Sequence, residues 1–325
     1  MNKITSYQLK RKTGDIIYKI CRAALLFGLC FLILQPILDK LSVSFMEEAD
    51  LYDPTVVVIP HHLSLGNYKI ASNLMKFWAT LIQSVIIFVA SAVLQVTACT
   101  LSAYGMARYK FPGRNILFFC VFLIIIVPPQ VILSPIYLNF QFFDIFGIIK
   151  LLTGKAVNLL GTLTGYFLLS ATAMGLKSGL YIFLLRQYFR GVPKELEEAA
   201  YVDGCGRLYT FVRIILPDAL PMLTSCFLFS FVWQWTDTIY GSIFLRGYKV
   251  MSLALSRLTA EFYYYWANVV NAVSTGTGMY TQPPIGYLQA VVATGAFMSI
   301  IPLILLYIVA QKTFVESLTQ TGIKM

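Results

Sequence analysis

The chain has 325 residues, of which 58% are hydrophobic and only 12% charged, and its mean hydropathy is +0.72. A soluble globule of this length needs more polar side chains than that to cover its surface, so lipid is expected to supply the outer solvent. The formal net charge of +10 is carried by basic residues dispersed among the flanks of apolar runs, a pattern set by membrane sidedness and anionic lipid, with no contiguous stripe for nucleic acid.

Before the first apolar run stand Lys3, Lys10, Arg11, Lys12, Lys19 and Arg22 against Asp15 alone, which places a basic tail, residues 1–17, in the cytoplasm. A first span follows over 18–42; the run is too long for a signal peptide and no small-x-small cleavage site comes after it, and Leu29 before Cys30 excludes a lipoprotein box. The next flank is acidic, with Asp39, Glu47, Glu48, Asp50 and Asp53, and is expected outside; His61 and His62 in it have no companion ligands and read as solvated. A second span covers 77–105 and the turn after it, with Arg108, Lys110 and Arg114, returns inside. Further spans are predicted over 115–138, 160–188, 216–245 and 288–312, each near the 20 apolar residues that cross a hydrocarbon core. None has the alternation of a barrel strand, so the fold class is an all-α membrane protein with six transmembrane helices and both termini cytoplasmic.

Between the fourth and fifth spans lies a polar, charged segment, Pro193 to Arg213. Pro193 suits a first helical turn, Glu195, Glu197 and Glu198 favour its positive end, Ala199 and Ala200 leave a smooth face, and Gly204 and Gly206 permit a turn before a second short helix runs to Pro217. Two short helices meeting at a glycine make a rigid lever; the plainer alternative is an amphipathic loop on the membrane surface. In the fifth span Trp233, Gln234, Trp235, Asp237 and Tyr240 mix rings with hydrogen-bonding groups at membrane depth, as a lining for a polar solute would, or else as interface anchors and helix packing. The outer loop from Arg246 to Gly286 carries Tyr263, Tyr264, Tyr265 and Trp266, then Ser274 to Gly278 and Pro283-Pro284. Residues 139–159 form a second extended connection, and Gly161 with Gly165 and Gly175 with Gly179 would let helices approach closely.

Catalytic signatures do not occur. The nearest approach to a phosphate-binding loop, Gly175-Leu176-Lys177-Ser178, lacks the required spacing, and there is no nucleophile elbow and no zinc-protease helix. The six cysteines form no C-x-x-C pair and read as small buried hydrophobes, so neither disulfide nor metal is expected. Lys177 and Asp237 are the sole charges expected at membrane depth, fewer than an ion-coupled carrier usually keeps there.

The spacing Glu198-Ala199-Ala200, Gly204, then Ile214-Ile215-Leu216-Pro217 resembles the EAA signature of the permease subunits of binding-protein-dependent ABC importers. Asn67-Tyr68, Ala103 to Arg108 with Phe111 to Arg114, Pro128-Pro129 with Pro135 to Tyr137, Phe183 to Phe189, Trp233 to Asp237 and the terminal Gly322-Ile323-Lys324 are similar to the oligosaccharide branch, and to the maltose-permease-like smaller subunit within it. Cys205, where Ala is frequent, and Asp218, where an apolar residue is more usual, depart from the pattern. The resemblance implies a type I ABC importer permease fold in the bacterial plasma membrane, with a transmembrane core over 77–312, a cytoplasmic coupling hairpin at 193–217 and a cytoplasmic tail at 313–325. It implies a noncatalytic subunit forming half of a pore, working with a second homologous permease, an ATPase homodimer that holds ATP and Mg, and an extracytoplasmic solute-binding protein. The residues coupling to the ATPase would be Glu195, Glu198, Ala199, Ala200, Asp203, Gly204, Ile214, Leu216 and Pro217, while Tyr263 to Trp266 would face the binding protein. Competing readings are a permease for a noncarbohydrate solute, an ion-coupled secondary carrier, and a nontransporting membrane scaffold or sensor.

Overall fold

A computed structural model describes residues 3–56, 58–145, 147–270 and 282–322. Among them no strand occurs, only two isolated bridges, Met46 with Leu63 and Phe143 with Val157. The chain divides into two compact units, Met1–Leu74 with Leu258–Met298, and Met75–Arg257 with Ser299–Met325.

The helices in chain order are α1 (Lys3–Phe45), α2 (Gly66–Met75), α3 (Phe77–Arg108), α4 (Arg114–Ile126), α5 (Pro129–Gln141), α6 (Ile148–Thr153), α7 (Leu163–Ala171) and α8 (Ser178–Gly191). Then come α9 (Glu195–Val202), α10 (Arg207–Thr210), a π-helical turn at Phe211–Ile215, α11 (Leu216–Asp218), α12 (Leu220–Thr236), α13 (Ile239–Phe244), α14 (Met251–Tyr265) and α15 (Ile285–Gly322). Among the described residues, three stretches are long and apolar enough to cross a membrane as single helices: Asp15–Phe45, Phe77–Arg108 and Ile285–Lys312. Two further pairs pass the same test together but are bent, α4 with α5 by 110° and Arg207–Asp218 with α12 by 74°.

The straight helices expected over 115–138, 160–188 and 216–245 are interrupted. Pro129 forces the residue before it away from the helical region and Pro128 does the same to Val127, which is extended at ψ 123. Between α7 and α8 the chain leaves the helix at Thr172 and holds two non-glycine residues left-handed, Ala173 at φ 56 and Lys177 at φ 61. Such a conformation costs about 1–2 kcal/mol for a residue with a Cβ, so the surrounding contacts must hold the break in place. The fifth run ends as a helix at Thr236, where Asp237 turns to receive the backbone N–H groups of Ile239 (3.2 Å) and Gly241 (3.1 Å) and so starts α13. At the ends of the chain α1 begins at Lys3 and α15 continues to Gly322, so residues 3–17 and 313–322 are helical. Much of the outer loop is α14; Ser274 to Gly278 lie outside the described residues.

In the larger unit α3 packs against α7, α8 and α12. An apolar cluster fills part of this packing, with Cys99, Tyr181, Leu185, Phe189, Ile215 and Cys226 all buried. Gly179 lets α8 approach α4, because a Cβ there would stand 3.0 Å from the Val121 carbonyl oxygen. In the smaller unit Asn67 ties α2 to the end of α1 by donating its amide to the carbonyls of Ser44 (3.3 Å) and Met46 (2.9 Å). The ring of Tyr287 meets those of Phe262 and Trp266 at centroid distances of 5.5 and 6.1 Å.

Candidate functional site

Two constructions in the larger unit stand out, and α3 takes part in both. The first is the hairpin of α9 to α11. Val192, placed before Pro193, leaves the helix and α8 stops. Helix α9 opens with three acids, where the N-terminal dipole favours them. It ends at Val202, and the turn after it is made by Gly204, whose φ of +80 is the left-handed conformation that glycine adopts without strain. The N–H groups of Gly204 and Cys205 close the turn on the carbonyls of Tyr201 (3.1 Å) and Ala200 (2.9 Å).

The acids do not share one role. Glu195 and Glu198 point to solvent, whereas Glu197 turns back onto the end of α3. There its carboxylate stands 3.0 Å from Arg108 Nε, with the two side chains only 12% and 6% exposed, and it accepts a hydrogen bond from Tyr104 OH at 3.2 Å. Arg108 also donates to the Val192 carbonyl at 2.8 Å, so one guanidinium holds both the chain entering the hairpin and its first helix. Ala200 is the buried residue of α9, while Ala199, Asp203, Gly204 and Pro217 are exposed and Ile214 and Leu216 are half-buried. Among the large hydrophobic side chains of the hairpin that face outward, which also include Tyr201 and Val212, are Leu196, Val202, Leu208 and Tyr209, at 45, 88, 77 and 56% exposure. Glu197 and these four residues extend the predicted set. The clue to Glu197 was helical geometry, since residues 195, 198 and 199 share a face that 197 does not.

The second construction is a buried hydrogen-bond network centred on Gln95 of α3. Its amide nitrogen donates to the Leu176 carbonyl (2.8 Å) and Ser178 Oγ (2.7 Å), both at the α7–α8 break. Its oxygen accepts from Ser230 Oγ (2.7 Å) and Gln234 Nε2 (2.9 Å) of α12. Gln234 in turn accepts from Tyr166 OH at 3.3 Å, and Ser91 meets Ser170 at 2.6 Å. Every member is neutral and every Gln95 valence is used, which is how polar groups survive in an apolar interior. Beside it lies a cavity of about 10 Å³ lined in part by Gln95, Gly175, Gln234 and Tyr240, too small for any sugar.

The fifth-span group is dispersed. Gln234 joins the network and Tyr240 is buried beside it. Trp235, 1% exposed, packs on Phe88 and Phe231 and donates to the Ser299 carbonyl at 3.1 Å. Trp233 is 45% exposed and carries the Lys177 ammonium 4.9 Å over its ring. In the smaller unit Tyr263 and Tyr264 are exposed and Tyr265 and Trp266 half-buried against Phe262. Among the described residues whose side chains are placed, no group of three potential ligands could hold a metal ion.

Residues 96–315 match the family described as binding-protein-dependent transport system inner membrane component. The chain belongs to that family. As a permease of ABC importers it is a noncatalytic, multi-pass subunit of the plasma membrane that works with an ATPase and a solute-binding protein. This permease is 27% identical over 319 residues to the arabinooligosaccharides transport system permease protein AraQ of Halalkalibacterium halodurans, covering 97% of this chain and 100% of the other. It is 30% identical over 260 residues to the osmoprotective compounds uptake permease protein GgtD of Synechocystis, covering 80% and 75%. A chain in the crystal structure of a bacterial ABC transporter involved in the import of the acidic polysaccharide alginate superposes with a TM-score of 0.70 at 24% identity, covering 93% of this permease and 98% of that chain, which shows the fold.

Proposed function

We propose that this permease forms half of the translocation pathway of an importer for an oligosaccharide, and that α9 to α11 are the port through which a partner ATPase drives it. The observation that carries the coupling role is the outward row of Leu196, Val202, Leu208 and Tyr209 beside the Gly204 turn. Apolar side chains exposed on an otherwise polar hairpin lose contact with water when a partner groove covers them. Glu195, Glu198, Ala199 and Asp203 share that hairpin's exposed surface, and Arg108 fixes it to α3 so that a push is transmitted along a stiff helix.

The reading includes six crossings, with α4–α5, α7–α8 and the bent fifth run each counted once, and both termini on the hairpin side. The excess of Lys and Arg before the first run and after α3 supports that sidedness. The assembly is a second homologous permease, two copies of the ATPase, which carry ATP and Mg, and an extracytoplasmic binding protein. Gln234 and Tyr240 are the pathway-lining members of the fifth-span group, with Trp233 and Asp237 at its edge and Trp235 packed behind it. Tyr263 and Tyr264, with Tyr265 and Trp266 beneath them, are the contact for the binding protein.

An oligosaccharide is supported by a relative that matches along nearly the whole chain and is an arabinooligosaccharides transport system permease protein. A second reading, an osmoprotective compound, is favoured by the 30% identical relative from Synechocystis. The test is a pull-down in mild detergent with mass spectrometry and an ATPase assay, for wild type and Gly204→Asp. A second permease and an ATPase should copurify with wild type, and the variant should hydrolyse ATP without uptake or lose the ATPase. The ligand that copurifies with the matching binding protein separates sugar from osmolyte. A chain recovered alone that moves solute on an ion gradient would overturn the proposal.

A further inference from the structure

The starting point is an arginine without a counter-charge. Arg186 of α8 is 5% exposed, its guanidinium carbon lies 3.6 Å over the Phe118 ring of α4, and its Nε has no hydrogen-bond partner among the described residues. The charged groups close enough to act on it are themselves cations, Arg190 and Arg114. The ion pairs found among the described residues, His62 with Asp50 and Arg108 with Glu197, involve none of the three. A ring face offsets part of the cost of desolvating a guanidinium, but two further like charges add to that cost, and nothing within the described chain repays it.

Geometry brings the three together. Arg190 follows Arg186 by one turn of α8 and Arg114 precedes Phe118 by one turn of α4, so two helices present their basic residues at the same crossing, at the end of α8 that leads into the hairpin. Helix α4 adds its own N-terminus there, opened by Gly113 at φ +83 with no side-chain cap, next to a cavity of about 320 Å³ lined in part by Lys110, Gly113, Arg114 and Asn115. Beyond Arg114 the surface of α4 turns apolar and open: Ile116, Leu117, Phe119 and Phe122 are 70, 52, 59 and 44% exposed. A ligand that satisfies both parts has an anionic phosphate at one end and hydrocarbon at the other. Guanidinium forks match phosphate oxygens in pairs, and the apolar face continues in the direction the chains of a lipid would take.

We propose that Arg186, Arg190 and Arg114 form a binding site for the phosphate headgroup of one anionic phospholipid, in the leaflet beside the coupling hairpin, with its acyl chains along α4. The site stands whatever solute the importer carries.

Native mass spectrometry of the full chain, with the partners that copurify, tests it after exposure to equimolar phosphatidylglycerol and phosphatidylcholine. Wild type should retain one phosphatidylglycerol in preference to phosphatidylcholine, and Arg190→Gln or Arg114→Gln should each weaken that retention about fivefold, the worth of one cation near an anionic headgroup. Arg186→Gln should weaken it at least as much; should that variant fail to assemble, the two rim variants decide. Equal retention of both lipids, or retention unchanged in both rim variants, overturns the proposal. So does displacement of the lipid by millimolar inorganic phosphate, which would make the ligand a free anion. Retention by the isolated chain but not by the assembled complex also overturns it, because an acidic segment of a partner then covers the arginines.

Discussion

Two of the polar contacts of helix α3, at Gln95 and at Arg108, lie about 20 Å apart along its axis and are built from opposite chemistry. At Gln95 the partners are neutral amides, hydroxyls and carbonyls; at Arg108 they are a full ion pair. An unpaired charge at the depth of Gln95 would cost several kcal/mol, whereas at the helix end the two shielded charges, Arg108 and Glu197, offset each other's desolvation. The neutral network can exchange partners as helices move, because each amide and hydroxyl can donate or accept elsewhere. The ion pair has one geometry and acts as a fixed joint. The division predicts that motion is absorbed at the α7–α8 break and delivered at the hairpin.

The largest effect is expected from opening the joint. Arg108→Ala leaves the Glu197 carboxylate buried without its partner, a change that costs about 3–5 kcal/mol where both groups are shielded. Trypsin should then cut faster at the exposed Arg207, and uptake should fall with ATPase binding. Restoring shape without charge, as Arg108→Met with Glu197→Leu, should recover protease resistance. If the double variant also recovers uptake, the joint needs only packing; if Arg108→Ala is as resistant as wild type, the hairpin is held by something else.

Gln95→Ala comes next. It leaves Ser230, Gln234 and Ser178 short of a partner, at about 1–3 kcal/mol for a buried unsatisfied group, read as a lower thermal midpoint in detergent. Gly175→Ala probes the same place more gently. A Cβ there stands 2.9 Å from Gln95 Nε2, the end of a flexible side chain, so the amide shifts and the loss should be smaller than for Gln95→Ala. A larger loss would mean the break itself, not its hydrogen bonds, is the rigid element.

What the sequence disclosed follows this same division. The apolar runs, the Gly204 turn and the exposed acids of α9 are written in local pattern, and the structure has them. Glu197 was visible as a helix-end acid, but its partner is set by how α9 packs on α3, which no local spacing encodes. Gln95, one of two glutamines in the second apolar run, carries no local signal, because its partners come from α8 and α12, far away in sequence. The interruptions were legible in part: Pro128-Pro129 carries its own stop signal. The break before Lys177 does not, because Ala173 and Lys177 adopt a left-handed conformation against their own preference. The fifth-span group looked like one cluster because its residues are neighbours in sequence, and helical rotation separates them.

The smallest effect belongs to the smaller unit, where a loop between α1 and α2 is tied by a contact that titrates. Asp50, whose side chain is 3% exposed, receives the His62 backbone N–H at 2.7 Å and meets its ring Nδ1 at 2.9 Å. The hydrogen bond from His62 holds the Asp50 carboxyl below its usual 3.8, and the same bond raises His62 above its usual 6.5. A depressed carboxylate stabilises the fold above 3.8 and loses that contribution as pH falls through its lowered value; a raised histidine contributes fully below 6.5 and loses it as pH rises through its elevated value. Both contributions are therefore complete only between those two values. Because the His62 side chain is 69% exposed, solvent screens the pair and the effect is small. An NMR titration should place His62 above 6.5 in the folded protein, and Asp50→Asn should return it to that value. An unshifted His62 in wild type would leave the loop held by the backbone bond alone, which does not titrate with the ring.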